Sequence, residues 1–166
     1  MGRCLLSYAM MLNGEGPEEV SIESSGKPFL ANSDLKCSIT HCQDLIAVAI
    51  CNQSVGIDIE RWKKRAFQGV VDSYFHPSER QVFAKLSDEE KPAWFYGQWT
   101  KKEALAKAMG TGIYDTIGID LSAVAQYLHT SVIEDCPCCT WSVALNSCES
   151  LPVSTQLVTL KEGQIV

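Results

Sequence analysis

The fold class this sequence predicts is α+β, on three observations. Short runs rich in Val, Ile and Thr, bounded by turn residues, mark strands near both ends of the chain. Between them, from about Ala66 to Met109, the apolar spacing becomes helical. Strands, then helices, then strands again argue for small antiparallel sheets packed with helices rather than an alternating parallel sheet. The chain has 166 residues, 46% hydrophobic and 20% charged, enough for one ordinary domain or two very small lobes.

Residues 3–12 are an apolar run that reads as a first helix. A signal peptide is the weaker reading, because Asn13-Gly14-Glu15-Gly16 follows where a small-residue cleavage site would stand. Met1-Gly2 does not make a myristoylation site, since Leu6 occupies the place of the required Ser or Thr. Val20–Glu23 alternates as a strand and Ser24-Ser25-Gly26-Lys27-Pro28 reads as a turn. Lys36–Thr40 and Leu45–Cys51 form a hairpin around His41-Cys42-Gln43-Asp44. Ser54–Glu60 then reads as the third strand of a small antiparallel meander.

Ala66–Tyr74 suits a short helix. His76-Pro77-Ser78-Glu79 is a second start signal, with His76 or Ser78 at the cap and Pro77 in the first turn, for a helix to about Leu86. Ser87-Asp88-Glu89-Glu90 opens a longer helix that runs to about Met109, carried by Trp94, Phe95, Trp99, Leu105 and Met109 and stopped by Gly110-Thr111-Gly112. Ile117–Leu121, Ser131–Glu134, Thr140–Asn146 and Ser154–Leu160 read as strands, with a short helix over Ser122–Leu128. No repeat shows in the letters, yet each half reads as a helix followed by a small sheet.

Net charge is −6, which excludes a nucleic-acid binder relying on bulk charge but not local docking to an acidic partner. No apolar run is long enough to span a bilayer. With no convincing secretion signal, the eight cysteines are read as reduced and the protein as cytoplasmic. Cys4, Cys37, Cys42 and Cys51 lie among apolar residues and read as small core side chains. Cys136, Cys138, Cys139 and Cys148 cluster, but Cys136-Pro137-Cys138-Cys139 does not read as a zinc knuckle, and a cysteine-rich hairpin is expected there.

Two segments carry chemistry. Gly56-Ile57-Asp58-Ile59-Glu60 places two carboxylates at i and i+2, on one face of a strand. Trp99 through Lys107 places Glu103 and Lys107 at i and i+4, on one face of a helix, with Lys102 pointing elsewhere. Alone, the first is a solvated strand face and the second a surface ion pair worth about 0.3–0.5 kcal/mol. Jointly they offer hard oxygen ligands for a divalent cation and an ammonium for a diphosphate.

On these residues the chain resembles the 4′-phosphopantetheinyl transferases, more the surfactin-synthetase-activating type than the short holo-acyl-carrier-protein synthases. The signature Gly-Ile/Val-Asp-x-Glu stands as Gly56–Glu60, and Trp-x-x-Lys-Glu-Ala/Ser-x-x-Lys stands as Trp99–Lys107. Gly-Lys-Pro appears as Gly26-Lys27-Pro28, and Asn-x-Ser-His appears, altered, as Ser38-Ile39-Thr40-His41. The likeness covers about residues 3–120. It implies a pseudo-two-fold fold with a reduced first lobe over residues 1–54 and a metal-bearing lobe over 55–166, in one compact unit.

The implied reaction moves the phosphopantetheine arm of coenzyme A to a serine of an apo acyl or peptidyl carrier protein and releases 3′,5′-adenosine bisphosphate. Asp58, Glu103 and Glu60 are implied to hold Mg²⁺, with Mn²⁺ equally acceptable to oxygen ligands. Lys107 is implied to contact a phosphate, and Arg3, Lys27, Thr40 and His41 to bind coenzyme A. Glu79 occupies the place of the proposed base, with a water relay as the alternative. Arg61-Trp62-Lys63-Lys64-Arg65 would attract an acidic carrier, and Phe67, Val70 and Phe75 offer it an apolar surface or belong to the core. Neither nucleic acid nor membrane is an expected partner. The larger members carry a longer stretch before their Gly-Lys-Pro than the 25 residues found here, which implies weaker coenzyme A binding or a homodimer that covers the gap. A non-catalytic relative that binds carrier protein or coenzyme A is the alternative.

Overall fold

The computed structural model describes residues 2–16, 19–24, 26–133 and 136–146, and the backbone of 160–161 and 164–165. Helix α1 (Gly2–Leu12) buries Leu5, Leu6 and Met10. Leu6 and Met10 reach a cluster with Leu30, Cys37, Ile39, Val48 and Ile50, so α1 lies on the hairpin of β3 (Lys36–Cys42) and β4 (Leu45–Cys51). The hairpin turn is only Gln43-Asp44, with Gln43 at φ 55°, so His41 and Cys42 belong to β3. A small ribbon of β1 (Val20–Ile22) and β2 (Pro28–Leu30) completes this part.

Strand β5 (Val55–Arg61) does not extend the hairpin into a meander as expected. It pairs with β7 (Cys136–Leu145), which in turn pairs with β6 (Leu128–Ile133), giving the sheet order β5-β7-β6. The reason lies in the side chains. Val55 and Ile57 pack with Ala47, Ala49 and Cys51 of β4, together with Val143 and Leu145, so β4 and β5 meet through side chains rather than edge to edge. The open edge of β5 is satisfied instead by side chains of β3: the Ile57 N–H donates to Ser38 Oγ at 3.2 Å, and the Arg61 N–H to Cys42 Sγ at 3.2 Å.

Four helices follow β5. They are α2 (Phe67–Tyr74), α3 (Pro77–Phe83), α4 (Lys91–Met109) and the single turn α5 (Ile113–Thr116). His76 caps α3, Pro77 stands at its first position, and Glu79 reaches back to the His76 N–H to close a capping box. Helix α4 starts at Lys91; Ser87 forms the preceding turn, donating through N–H and Oγ to Glu90 Oε2. Gly110 ends α4 in the left-handed conformation. Phe67, Phe75, Phe83, Phe95 and Tyr96 form an aromatic core between α2, α3 and α4. Phe67 and Phe75 are therefore core and not a docking surface; Cys4 is exposed rather than buried.

Ile117–Leu121, expected as a strand, is not one. Ile117 joins the aromatic core while Ile119 and Leu121 pack beside Ala104, Leu105 and Ala108 of α4. Asp120 then caps a 3-10 helix over Leu121–Tyr127 by accepting from the Ser122 N–H at 3.0 Å. Alternation here records two packing surfaces, not a pleat. The strand expected over Ser154–Leu160 falls outside the described residues except at Leu160, where β8 (Leu160–Lys161) pairs with β9 (Gln164–Ile165).

Two contacts fix α4. The first is with β5: a Cβ added to Gly56 would lie 2.0 Å from Ala104 O and 2.4 Å from Ala108 N. Only glycine lets the strand approach the helix backbone this closely. The second is with α3, where Lys102 Nζ lies 2.9 Å from Glu79 Oε2 with the Lys102 side chain 0% exposed, and donates to Ile119 O at 2.7 Å. A hydroxyl chain adds to this: Thr100 Oγ1 and Ser142 Oγ are 2.7 Å apart, and Ser142 Oγ and Thr130 Oγ1 2.6 Å, stitching α4 to β7 and β6.

Gly56→Ala is expected to destabilise the chain by about 2–3 kcal/mol or more through overpacking against backbone. Gly69→Ala, in helix α2 with nothing near its added Cβ, should stabilise it by about 0.5–1 kcal/mol. Urea unfolding of the two variants reads both signs. Lys102→Met, which leaves Glu79 buried without its cation, should cost about 3–5 kcal/mol, and adding Glu79→Gln in the same chain should restore much of that. Equal stability for the single and double variants would contradict the pairing.

Candidate functional site

On β5 the side chains alternate. Val55, Ile57 and Ile59 are buried in apolar surroundings, while Gly56, Asp58 and Glu60 share the face toward α4. Gly56 brings that face against Ala104, Lys107 and Ala108, so Asp58 arrives beside the turn that carries Glu103 and Lys107. Lys107 Nζ lies 2.8 Å from Asp58 Oδ1, 3.1 Å from Ile57 O and 3.2 Å from Thr40 Oγ1. Thr40 Oγ1 donates to the same Asp58 oxygen at 3.2 Å. The ammonium therefore pairs across the strand with Asp58, rather than along its own helix with Glu103.

Three carboxylates share each other's field here. Burial pushes the Asp58 carboxyl up, with Lys107 and Thr40 pulling the other way. Glu60 is raised by burial and then by repulsion from Asp58. Glu103 is raised by burial and by Asp58, with Lys107 opposing and Glu60 adding repulsion. Among the described residues, Lys107 is the one cation paired directly with these acids; Arg65 and Lys63 act on Glu60 from a distance, and burial still holds all three carboxyls up. Asp58 Oδ2 is buried and meets no donor at hydrogen-bonding geometry, an orphaned acceptor of the kind that calls for an ion or a water.

This donor set fits a hard divalent cation: anionic oxygens, unmet charge and an orphaned buried acceptor. The carboxylates do not close into a cage. Among the described residues, the only three acidic, histidine or cysteine ligand atoms within 4.8 Å of one another are those of Cys136, Cys138 and Cys139. An open arrangement suits Mg²⁺, which uses few carboxylates and fills its remaining positions with water and phosphate.

Beside the acids lies a cleft of about 370 Å³, lined among others by Lys27, Ser38, Lys107 and Thr111. Lys27 Nζ sits 3.3 Å from Ser54 Oγ and 3.3 Å from Ala108 O, and burial pushes its ammonium down from the ordinary lysine value. The sequence-predicted residues Asp58, Glu60, Glu103, Lys107, Thr40 and Lys27 are thus brought together. His41 and Arg3 are not. His41 is exposed and, one residue beyond Thr40, points to the opposite face of β3; Arg3 is exposed on α1. Glu79 belongs to a second cleft of about 380 Å³ with Trp94, Gln98, Lys101 and Asp120.

Sequence reasoning missed Lys102 as the partner of Glu79, and Ser38 and Ser54 as the hydroxyls that tie the strands and the helix end together. Lys102 carries a signal that could have found it: it is flanked within α4 by Thr100, Ala104, Leu105 and Ala106, all buried. Of the basic run that begins at the last residue of β5, Arg61 pairs with Asp44 at 2.8 Å, Trp62 donates to Thr140 Oγ1 at 2.7 Å, and Arg65 lies 4.7 Å over the Phe95 ring. Lys63, Lys64 and Arg65 remain exposed.

Comparisons with known proteins bear on the family. Residues 54–154 match the model of the 4′-phosphopantetheinyl transferase superfamily. The chain is 35% identical over 104 residues to the 4′-phosphopantetheinyl transferase HetI of Nostoc sp., covering 59% of this chain and 44% of that protein. It is 34% identical over 89 residues to 4′-phosphopantetheinyl transferase gsp of Aneurinibacillus migulanus, covering 54% and 37%. To the 4′-phosphopantetheinyl transferase AcpT of Salmonella typhimurium it is 28% identical over 160 residues, covering 95% and 80%. The chain thus spans less than half the length of the first two and four-fifths of the third. The match contains both the acidic strand and the helix that faces it, and the chain belongs to the 4′-phosphopantetheinyl transferase superfamily.

Proposed function

We propose that this chain transfers the 4′-phosphopantetheine arm of coenzyme A to a serine of an apo acyl or peptidyl carrier protein and releases 3′,5′-adenosine bisphosphate. The observation that carries this reading is the meeting of Asp58, Glu60, Glu103 and Lys107 beside a cleft that Lys27 and Lys107 both line. In the transfer, the serine Oγ bonds to the phosphorus that bears the pantetheine arm. The bond from that phosphorus to the oxygen of the adenosine-side phosphate breaks, and the electron pair leaves with the bisphosphate. Lys27 and Lys107 bind diphosphate oxygens and hold the phosphorus in line with the attacking hydroxyl.

Asp58, Glu60 and Glu103 would hold Mg²⁺, or Mn²⁺ in its place, which supplies neutralising charge at the diphosphate when bound. Thr40 orients Asp58 through its hydroxyl. The resemblance gives Arg3 to the 3′-phosphate of coenzyme A and His41 to its phosphates; both are exposed and stand outside the acidic cluster. For the serine proton we assign Glu79, whose Oε1 makes no hydrogen bond; its Oε2 is fixed by Lys102 and the His76 N–H. Lys63, Lys64 and Arg65 attract the acidic carrier to the end of β5. A cytoplasmic setting agrees with the thiols, all free among the described residues, and no helix among them is long and apolar enough to cross a membrane.

Incubated with an apo carrier protein, coenzyme A and Mg²⁺, the chain should add one phosphopantetheine mass to the carrier; no gain with several carriers would overturn the reading. Asp58→Ala and Glu103→Ala should each abolish transfer while leaving the fold intact by circular dichroism. Mg²⁺ at a hundredfold excess over its Kd should stabilise the chain by about 2.7 kcal/mol. The resulting rise in Tm should be reversed by EDTA and absent in both variants. A Tm insensitive to Mg²⁺ and Mn²⁺ in the parent chain would remove the ion from the proposal. Glu79→Gln should lower kcat with KM for coenzyme A unchanged; an unchanged kcat passes the proton to water.

A further inference from the structure

The described residues hold one cluster of reactive side chains that the transfer reaction does not use, at the start of β7. Counted from Cys136 to Cys139, the spacing is Cys-x-x-Cys, with Pro137 and Cys138 between. The expectation of an ordinary cysteine-rich hairpin overlooked that gap. Across β6 and β7, Val132 opposes Thr140 while Ile133 opposes Cys136. Residues 137–139 are thus extra on the β7 side, and the strand buckles there. The buckle folds Cys139 back toward Cys136, and their Sγ atoms lie 2.7 Å apart, with Cys138 Sγ 3.7 Å from Cys136 Sγ. In a regular extended strand, residues three apart cannot touch in this way.

The three thiols differ in setting. Cys139 is buried, Cys136 is half-buried and Cys138 is exposed. Arg61 is the Cα partner of Cys139 across the β5–β7 ladder and acts on all three thiols as a cation. Its Nη2 is paired with Asp44, while its Nε is buried and has no acceptor, so the guanidinium keeps one donor unused in this corner. Burial pushes the Cys139 thiol up to about 12, whereas the hydrogen bond from Cys139, followed by the lesser pulls of Cys138 and Arg61, draws the Cys136 thiol down. A reachable thiol beside a cation, backed by a buried second thiol, is the arrangement of a dithiol exchange centre. A cation ligand set would be disfavoured by the guanidinium, and thiolates around one zinc ion stand wider apart than this pair, since each zinc–sulfur bond is about 2.3 Å.

We propose that Cys136 and Cys139 form a dithiol site for thiol–disulfide exchange, in which Cys136 attacks and Cys139 resolves. The co-reactant is a low-molecular-weight disulfide. The Cys136 thiolate bonds to one of its sulfurs and expels the other as a thiolate, leaving a mixed disulfide on Cys136. The Cys139 thiol gives its proton to the departing thiolate and attacks Cys136 Sγ. The second small thiolate leaves, takes up the proton that Cys136 had released to solvent, and the internal disulfide closes. Two protein thiols are oxidised, and one small disulfide is reduced to two thiols. Cys138 is not required.

The test uses the full chain with oxidised glutathione at neutral pH, followed by intact and fragment-ion mass spectrometry. The parent chain and Cys138→Ser should lose two hydrogens and show a link between positions 136 and 139. Cys139→Ser should instead hold one glutathione on Cys136, and Cys136→Ser should react at this segment at least about tenfold more slowly. Closure of Cys139→Ser at the parent rate, or unchanged reactivity in Cys136→Ser, overturns the proposal. So does a stoichiometric zinc ion in the purified chain that is lost with Cys136→Ser. None of these readouts depends on the transferase reading.

Discussion

Strand β5 and helix α4 approach each other backbone to backbone at Gly56, and the site depends on it. Because Gly56 has no side chain, the strand lies against the backbone of Ala104 and Ala108. A strand and a helix ordinarily keep a layer of side chains between them. Removing that layer at one residue brings the next same-face residue, Asp58, to the helix turn that carries Glu103 and Lys107. The period of two along the strand and the i, i+4 rise of the helix then deliver three carboxylates and an ammonium to one place. The hydroxyl chain from Thr100 through Ser142 to Thr130 holds the helix on the sheet from the other end.

That arrangement is electrostatically unfinished. Burial and mutual repulsion raise all three carboxyls. Lys107 makes its ion pair with Asp58 and acts on Glu60 and Glu103 only through its field, and it takes Asp58 Oδ1 while Oδ2 meets no hydrogen-bond partner. A site built for stability alone would have satisfied these groups, since unpaired buried charge is among the costliest features a fold can carry. Unmet charge beside an open cleft is what a cation-bridged polyanion would complete. The contrast with the Lys102–Glu79 pair is instructive. There, on the same helix, a fully buried lysine meets one carboxylate and a backbone carbonyl, and the result is a clamp between α4 and α3.

Much of the site was legible in the sequence because its ingredients are local. Alternation announces the acidic face of β5, and helical spacing announces that Glu103 and Lys107 share a face. Gly56 could be read from its motif, though not the helix backbone it meets. What stayed hidden was the choice of partner. Lys107 has Glu103 one turn away, yet it pairs with Asp58, because the strand supplies a more buried carboxylate and a second acceptor in Ile57 O. The meander failed for the same reason. Nothing in Ser54–Glu60 says that its edge will find β7, some 80 residues later, while β4 offers only side chains. Ile117–Leu121 alternates like a strand because two different cores claim alternate residues.

Strand β7 joins the acidic cluster to the cysteine cluster. Its centre opposes the acidic strand, with Ser142 facing Asp58 and Thr140 facing Glu60, and its buckled start faces Arg61 with Cys139. Arg61 is also tied to the β3–β4 hairpin, through its N–H to Cys42 and its guanidinium to Asp44. The residue that follows Asp58 and Glu60 on the strand therefore anchors the end of β5 from both sides. Cys139 and Arg61 face each other across the β5–β7 ladder, one position from the Thr140–Glu60 pair. Because Trp62 and Tyr96 stack beyond it and the Trp62 N–H donates to Cys138 O at 2.7 Å, the same ladder holds the basic segment that leaves the site.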